Sequence, residues 1–156
     1  MGVQVIIDTD VIVDYLKRKP ESYAKDLFKA VKAGRVVPYM TSITLFELIR
    51  GAKLSPEPKR SMNIIKTLQA TIKVLDFNEE AAEAAAEICV QLERRGKPLE
   101  IRDIFIAAIA KAKDLTLTTR NIRRFERVGG IKVITPQNLL ENISIYDLNG
   151  ENIKKL

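Results

Sequence analysis

The stretch VQVIIDTD, at positions 3–10, joins a short apolar run to two carboxylates. The run is rich in β-branched residues and lacks a regular polar alternation, which is typical of a strand buried on both faces of a parallel sheet. Open α/β sheets bind their ligands beyond the carboxyl ends of the strands. Asp8 and Asp10 therefore stand where such a protein places a functional site.

Outward from this stretch, predicted strands alternate with predicted helices. The strands are predicted at 3–7, 36–40, 72–75, 115–118 and 131–134. Helical spacing with caps and Gly or Pro stops predicts helices at 11–19, 22–33, 43–50, 56–71, 78–95, 101–112 and 122–127, and another after Pro136. Gly51 is expected to end the third of these helices. The alternation predicts an α/β protein with helices on both sides of a mostly parallel sheet.

The length of 156 residues fits one domain with a substantial core. We expect that domain over 1–142, followed by a tail over 143–156. Asn149-Gly150 is a turn signal between weak strand-like runs, so the tail is either a hairpin or a contact segment. No stretch reaches the roughly 18 uninterrupted apolar residues that a membrane span requires. The sequence therefore predicts a soluble protein without membrane contact.

The charged and reactive residues restrict the chemistry that is possible. The chain has 26 Lys and Arg against 20 Asp and Glu, a net charge of +6 that favours a polyanionic partner or gives only a solvated basic surface. It contains no His, which excludes imidazole bases and Ser-His-Asp triads. The single Cys89 cannot form an internal disulfide and suits the reducing cytoplasm. Any catalysis must depend on carboxylates.

Four polar residues fall at strand ends or on adjoining helices. Each has a modest structural interpretation: Asp8 and Asn121 as helix N-caps, and Asp103 as a charge at a helix N-terminus. Glu47 could complete a capping box or pair with Arg50. One parallel sheet would nevertheless bring all four together.

Such an acidic cluster is costly because its charges repel one another, and a hard divalent cation relieves the repulsion. Mg²⁺ and Mn²⁺ prefer oxygen ligands from a few carboxylates, with water and substrate phosphate completing the coordination shell. A metal held in this way lowers the pKa of a water and neutralises charge on a phosphate, with no His required. The cluster thus indicates phosphodiester hydrolysis.

Four segments that contain these residues resemble the PIN domain, a family of small metal-dependent ribonucleases that includes the VapC toxins. In chain order they are VIIDTDVIVD at 5–14, TSITLFELIRG at 41–51, RDIFIAA at 102–108 and LTTRNIRRF at 117–125. The resemblance covers most of the chain. It implies a three-layer α/β/α fold with the strand order 3-2-1-4-5.

The resemblance also implies a set of site residues. Asp8, Glu47 and Asp103 would bind Mg²⁺ or Mn²⁺, with Asn121 at the fourth polar position. Many relatives carry a further acid where Ile101 stands, and often an Asp at the fourth position. These two departures leave open whether the site holds one metal or two.

Further residues of the first and fourth segments have supporting or RNA-binding interpretations. Asp10 would support the ligands as an acceptor. Thr119 would donate to the phosphate or fix a ligand, or it simply closes its strand. Arg120, Arg123 and Arg124 would guide an RNA backbone, or they form a solvated basic face.

These observations predict a Mg²⁺- or Mn²⁺-dependent endoribonuclease, the toxin of a toxin-antitoxin pair. Two alternatives stay open at this point. Asp8-Thr9-Asp10 after a strand also resembles the nucleophile and acid/base pair of haloacid-dehalogenase-type phosphatases. The departures at Ile101 and Asn121 also allow a PIN-fold binding module with little catalysis.

The resemblance suggests two protein partners besides RNA. One is a small antitoxin, most simply a helix laid in an apolar groove beside the acids. The helical segments 11–16 and 61–68 are the expected walls of that groove. The other expected partner is a second copy of the chain, in a homodimer.

Overall fold

A parallel sheet with β1 at its centre organises the chain. The computed structural model describes the backbone of residues 2–149 and the side chains of residues 2–144. The strands are β1 (Val3–Ile7), β2 (Val36–Thr41), β3 (Lys73–Leu75), β4 (Thr116–Thr118) and β5 (Val133–Ile134). Every neighbouring pair is parallel, and the order is β3-β2-β1-β4-β5. The implied strand order is confirmed.

Helices cover both faces of the sheet. They are α1 (Thr9–Leu16), α2 (Ala24–Lys32), α3 (Ser42–Lys53), α4 (Pro58–Thr71), α5 (Glu79–Arg94), α6 (Ile101–Lys113) and α7 (Pro136–Asn149). Val5 and Ile7 of β1 lie in one apolar cluster with α1 to α4 and α7, whereas Ile6 lies in a second cluster with α5 and α6. The buried strand and the three-layer α/β/α architecture are therefore both confirmed.

Two helix predictions are wrong. The segment predicted as a helix over 122–127 forms only a 3-10 turn, Ile122–Arg124. Helix α3 does not end at Gly51 but continues to Lys53. Burial of Leu48 and Ala52 on the inner face of α3 outweighs the cost of about 1 kcal/mol that a glycine imposes inside a helix.

Because Gly51 lies inside a helix rather than at its end, substitution by alanine is expected to have opposite effects on stability at Gly51 and at Gly34. A Cβ built at Gly51 meets nothing within 4 Å, so Gly51→Ala is expected to stabilise the protein by about 0.5–1 kcal/mol in urea unfolding. Gly34 has φ +75°, and Gly34→Ala is expected to destabilise the protein. A loss of stability in Gly51→Ala would mean that the position is a left-handed helix end after all.

The C-terminal segment differs from the predicted hairpin. Helix α7 runs across the expected domain boundary to Asn149, and Leu139 and Ile143 are buried in the first apolar cluster. The hairpin interpretation is therefore wrong for 143–149, because helix α7 includes these residues and is anchored by Leu139 and Ile143, one turn apart. Residues 150–156 lie outside the described residues. Over the described part of the chain, no helix is both long enough and apolar enough to span a bilayer.

Candidate active site

Asp8 joins the end of β1 to the start of α1. Its Oδ1 accepts a hydrogen bond of 2.8 Å from the N–H of Thr9, so the N-cap interpretation is correct. Its Oδ2 is engaged separately and accepts a hydrogen bond of 2.8 Å from Thr119 Oγ1. The side chain is only 1% exposed. One buried carboxylate thus caps a helix and still presents an oxygen at the carboxyl edge of the sheet.

Helix α6 brings the second carboxylate, Asp103, to the same place. Because α6 leads into the start of β4, its first turn lies at the carboxyl edge of the sheet. The guanidinium of Arg124 bridges the two acids: Nη2 donates to Asp8 Oδ2, and Nη1 donates to Asp103 Oδ1 at 3.1 Å. Arg124 Nη2 also lies 4.0 Å from Asp10 Oδ2. Arg124, predicted to guide RNA, is placed on the acids themselves.

Glu47 lies on α3, on the other side of Asp8. Its Oε1 accepts a hydrogen bond of 2.8 Å from Thr9 Oγ1, and its Oε2 lies 3.6 Å from Arg102 Nη1. Neither contact is the capping box or the Arg50 pair that the local sequence allowed. Thr9 and Arg102 are site residues that sequence reasoning missed, because nothing in their local sequence indicates contact with Glu47.

The two supporting residues do come together. Thr119 Oγ1 lies 3.2 Å from Asp10 Oδ2, and the N–H of Arg120 donates to the same oxygen at 3.2 Å. Asp10 Oδ1 is buried and has no hydrogen-bond partner among the described side chains. Asp10 therefore offers one fixed oxygen and one unused oxygen.

Asn121 and Arg123 are placed differently from the acids. Both residues are exposed. Asn121 precedes the 3-10 turn without capping it through its side chain, and its N–H donates to Thr119 Oγ1 at 3.3 Å. The N-cap interpretation of the Asn121 side chain is therefore wrong, and its place at the fourth polar position stays a prediction.

Burial makes negative charge costly at this edge of the sheet. Burial is the main cause that raises the pKa of Asp8, and the nearby Asp103 charge adds to it. The pKa values of Asp10 and Asp103 are raised by burial in the same way, with further contributions from Asp8 on Asp10 and from Glu100 and Glu47 on Asp103. Arg124 opposes all three shifts. The positive charge of Arg124 thus stabilises the ionised form of these three acids.

The donor set suits a hard divalent ion. All the acids offer carboxylate oxygens, the ligands that Mg²⁺ and Mn²⁺ prefer, and Asp10 Oδ1 is an unpartnered buried acceptor. Among the side chains of residues 2–144, no three acids converge closely enough to enclose an ion. The chemistry of the donors therefore fits a metal, and the guanidinium of Arg124 lies between Asp8 and Asp103.

Asp14 is a further buried acid, one helical turn beyond Asp10. It is 1% exposed and lies 3.1 Å from Arg120 Nε and 3.6 Å from Lys19 Nζ. Asp10 and Asp14 are one helical turn apart on α1, so one arginine, Arg120, reaches both carboxylates. This spacing was the available signal that Asp14 faces the site.

The fold and the site together define a three-layer α/β protein with an acidic centre at the carboxyl edge of its sheet. The family model of the PIN domain matches residues 5–131. The tRNA(fMet)-specific endonuclease VapC of Shigella flexneri is 35% identical over 130 residues, which are 83% of this chain and 96% of that protein. The chain therefore belongs to the PIN domain family and, within it, to the VapC type.

Further relatives and solved structures agree with this membership. Ribonuclease VapC2 of Haemophilus influenzae (strain ATCC 51907 / DSM 11121 / KW20 / Rd) is 31% identical over 130 residues, covering 83% of this chain and 96% of that protein. The crystal structure of DNA-bound VapBC from Salmonella typhimurium aligns with a TM-score of 0.76 and 32% identity, over 87% of this chain and 99% of that chain. These relatives favour neither the phosphatase alternative nor the binding module.

Proposed function

We propose that the chain is an endoribonuclease toxin that hydrolyses RNA phosphodiester bonds with Mg²⁺ or Mn²⁺. The observation that carries this proposal is the convergence of Asp8 and Asp103 at the carboxyl edge of the sheet, where both contact the guanidinium of Arg124. Its relatives are named ribonucleases or endonucleases, and PIN-domain nucleases generally depend on a divalent metal. In this proposal Asp8, Glu47 and Asp103 hold the ion.

The residues around these three acids fix their orientation. A divalent ion, when bound, lowers the pKa of a water and neutralises charge on the scissile phosphate. Thr119 holds Asp8 Oδ2, and Thr9 holds Glu47 Oε1, so neither carboxylate has to be ordered during the reaction. Asp10 Oδ2 accepts hydrogen bonds from the N–H of Arg120 and from Thr119 Oγ1, the hydroxyl that also donates to Asp8. This preorganisation is what the chain itself contributes to hydrolysis.

Exposed basic side chains beside the site suit an RNA backbone. Arg120 is half-exposed, and Arg123 is exposed on the turn that follows it. Because the relatives from Shigella flexneri and Salmonella typhimurium are named tRNA(fMet)-specific endonucleases, a structured tRNA is the first substrate to test. We assign Arg120 and Arg123 to its phosphates and keep Asn121 as the fourth polar residue of the site.

We also propose a small antitoxin as the protein partner. The similar solved structures from Rickettsia felis, Salmonella typhimurium and Haemophilus influenzae are titled as VapBC structures. A groove of about 420 Å³ lies between α1, α3 and α4 in this chain. Its lining includes Val13 and Leu16 from one expected wall, Ile64 and Ile65 from the other, and Glu47 between them. An apolar helix in this groove would end beside the acids.

A homodimer and a cytoplasmic location stay predictions. Phe46 and Leu54 are exposed apolar residues that line a second surface cavity on α3, away from α4. That surface is our candidate for self-association. Sedimentation of the purified chain would show one species of twice the monomer mass if the chain is a homodimer.

Metal dependence is the direct test of the proposed function. The purified protein is expected to cleave a tRNA transcript in Mg²⁺ or Mn²⁺, to lose cleavage in EDTA and to regain it when excess metal is restored. The reason is that the chain has no imidazole base, while the acids of the site offer the oxygen ligands of a metal that activates water. Cleavage that continues unchanged in excess chelator would contradict the proposal.

A further inference from the structure

Arg124 is positioned by the segment that follows β4. It is the last residue of the 3-10 turn, and the next residue, Phe125, is fully buried. The Arg124 guanidinium carbon lies 5.1 Å from the centre of the Phe125 ring. Because Phe125 anchors the turn in the core, the base of the Arg124 side chain is fixed while its guanidinium extends to the site. The side chain is 33% exposed, so it borders solvent as well as the acids.

Arg124 occupies the position between two of the acids that would hold a metal ion. Its two terminal nitrogens contact Asp8 and Asp103, which come from different parts of the fold and are two of the three proposed ligands. Asp10 lies 4.0 Å from the same guanidinium. The bridge therefore neutralises a cluster in which burial and mutual repulsion make charge costly.

The hydrogen bonding of Arg124 is incomplete. Its Nε is buried and has no acceptor among the described residues. An unpartnered buried donor lowers the stability of the arrangement that contains it. The guanidinium is thus held at two of its nitrogens, and its third nitrogen adds no hydrogen bond that would fix it further.

We propose that Arg124 is a displaceable internal counter-ion, which bridges Asp8 and Asp103 in the metal-free protein and must leave for a divalent ion to bind there. The inference rests on the proposed function. A divalent ion between Asp8 and Asp103 would take the position that the guanidinium occupies, and two cations at that position repel each other. After displacement, the fixed turn keeps the freed guanidinium at the mouth of the site, where a phosphate of the RNA would attract it.

The test measures Mn²⁺ binding and the stability of the metal-free protein, without RNA. Arg124→Gln removes the competing charge, so its Kd for Mn²⁺ is expected to be about tenfold lower than that of the wild type, equivalent to about 1.4 kcal/mol. The Mn²⁺ resonance of the free ion in electron paramagnetic spectra reports binding directly. In the absence of metal, the same variant is expected to melt at a lower temperature, because the acids have lost their counter-ion.

Two further variants complete the design. Arg123→Gln makes the same change of charge one residue away, on an exposed side chain, and is expected to leave the Kd for Mn²⁺ within twofold. Arg124→Lys keeps the charge but cannot bridge two carboxylates, so its Kd is expected to fall between those of wild type and Arg124→Gln. Should Arg124→Gln fail to fold without metal, Arg124→Lys still carries the comparison.

The outcomes separate this inference from the proposed function. Wild-type binding with an equal or weaker affinity in both Arg124 variants would overturn the inference and leave the metal site standing. An absence of Mn²⁺ binding in wild type and in both Arg124 variants would overturn both. Binding by Arg124→Gln but not by the wild type would support the inference in its strongest form.

Discussion

Asp8→Asn is expected to lower the initial rate of RNA cleavage by about 10³-fold or more, with Glu47→Gln and Asp103→Asn close behind. Each change removes a charged oxygen ligand and keeps the size of the side chain. Because the three acids hold the same ion, the double variants are expected to lose little more than the single ones. The measurement is the initial rate on a tRNA transcript, with the melting temperature of each variant recorded beside it.

The stability of these variants separates catalysis from folding. Burial raises the pKa of Asp8 above its ordinary value of 3.8. Stability of the metal-free protein is therefore lost as the pH rises from that value through the raised pKa, and a neutral Asn at position 8 avoids this loss. Asp26→Asn, on an exposed face of α2, is the control for the loss of a carboxylate and is expected to leave the rate unchanged. If Asp103→Asn lowered the melting temperature but kept full activity, Asp103 would serve only its helix N-terminus.

The fold could be predicted because its strongest signals are local. The apolar run of β1, the cap at Asn78 and the Pro at the start of α4 each specify an element within a few residues. The positions of Asp8, Glu47 and Asp103 then follow from topology, since parallel strands and the helices between them meet at one edge. Gly51 is the counterexample. A glycine at this position of the sequence predicts a helix end, and the helix continues because Ala52 beyond it is buried.

The contacts within the site could not be predicted in the same way. Arg124 and Asp8 are separated by 116 residues, and their contact depends on the rotamers of a long side chain held between β1, α6 and the 3-10 turn. The same holds for Asp14 and Arg120. Sequence pattern identifies which charges gather at the edge of the sheet, but it cannot assign each cation to its acid. The sequence therefore predicted an RNA-guiding role for Arg120 and Arg124 and did not indicate that both also contact the acids.

Ile64→Asp is expected to weaken antitoxin binding by about 100-fold, or about 2.7 kcal/mol. Ile64 lines the groove between α1, α3 and α4 and is 42% exposed, so a charge there is solvated in the free chain but buried under a docked apolar helix. The measurement is co-purification, followed by titration, with a cognate antitoxin, which is to be sought first in the reading frame upstream of the gene for this chain. Expression with that protein is expected to permit growth with the wild-type chain and to arrest it with Ile64→Asp.

Val90 provides a matched control for that experiment. It is also 42% exposed, but it lies on α5, which packs on the opposite face of the sheet. Val90→Asp therefore introduces the same charge at the same exposure without touching the groove, and the complex is expected to form normally. Because neither Ile64 nor Val90 takes part in the hydrogen bonds of the acids, both variants are expected to cleave RNA at the wild-type rate when the partner is absent. Equal loss of binding in the two variants would place the antitoxin on another surface, whereas loss confined to Ile64→Asp would place its helix beside Glu47.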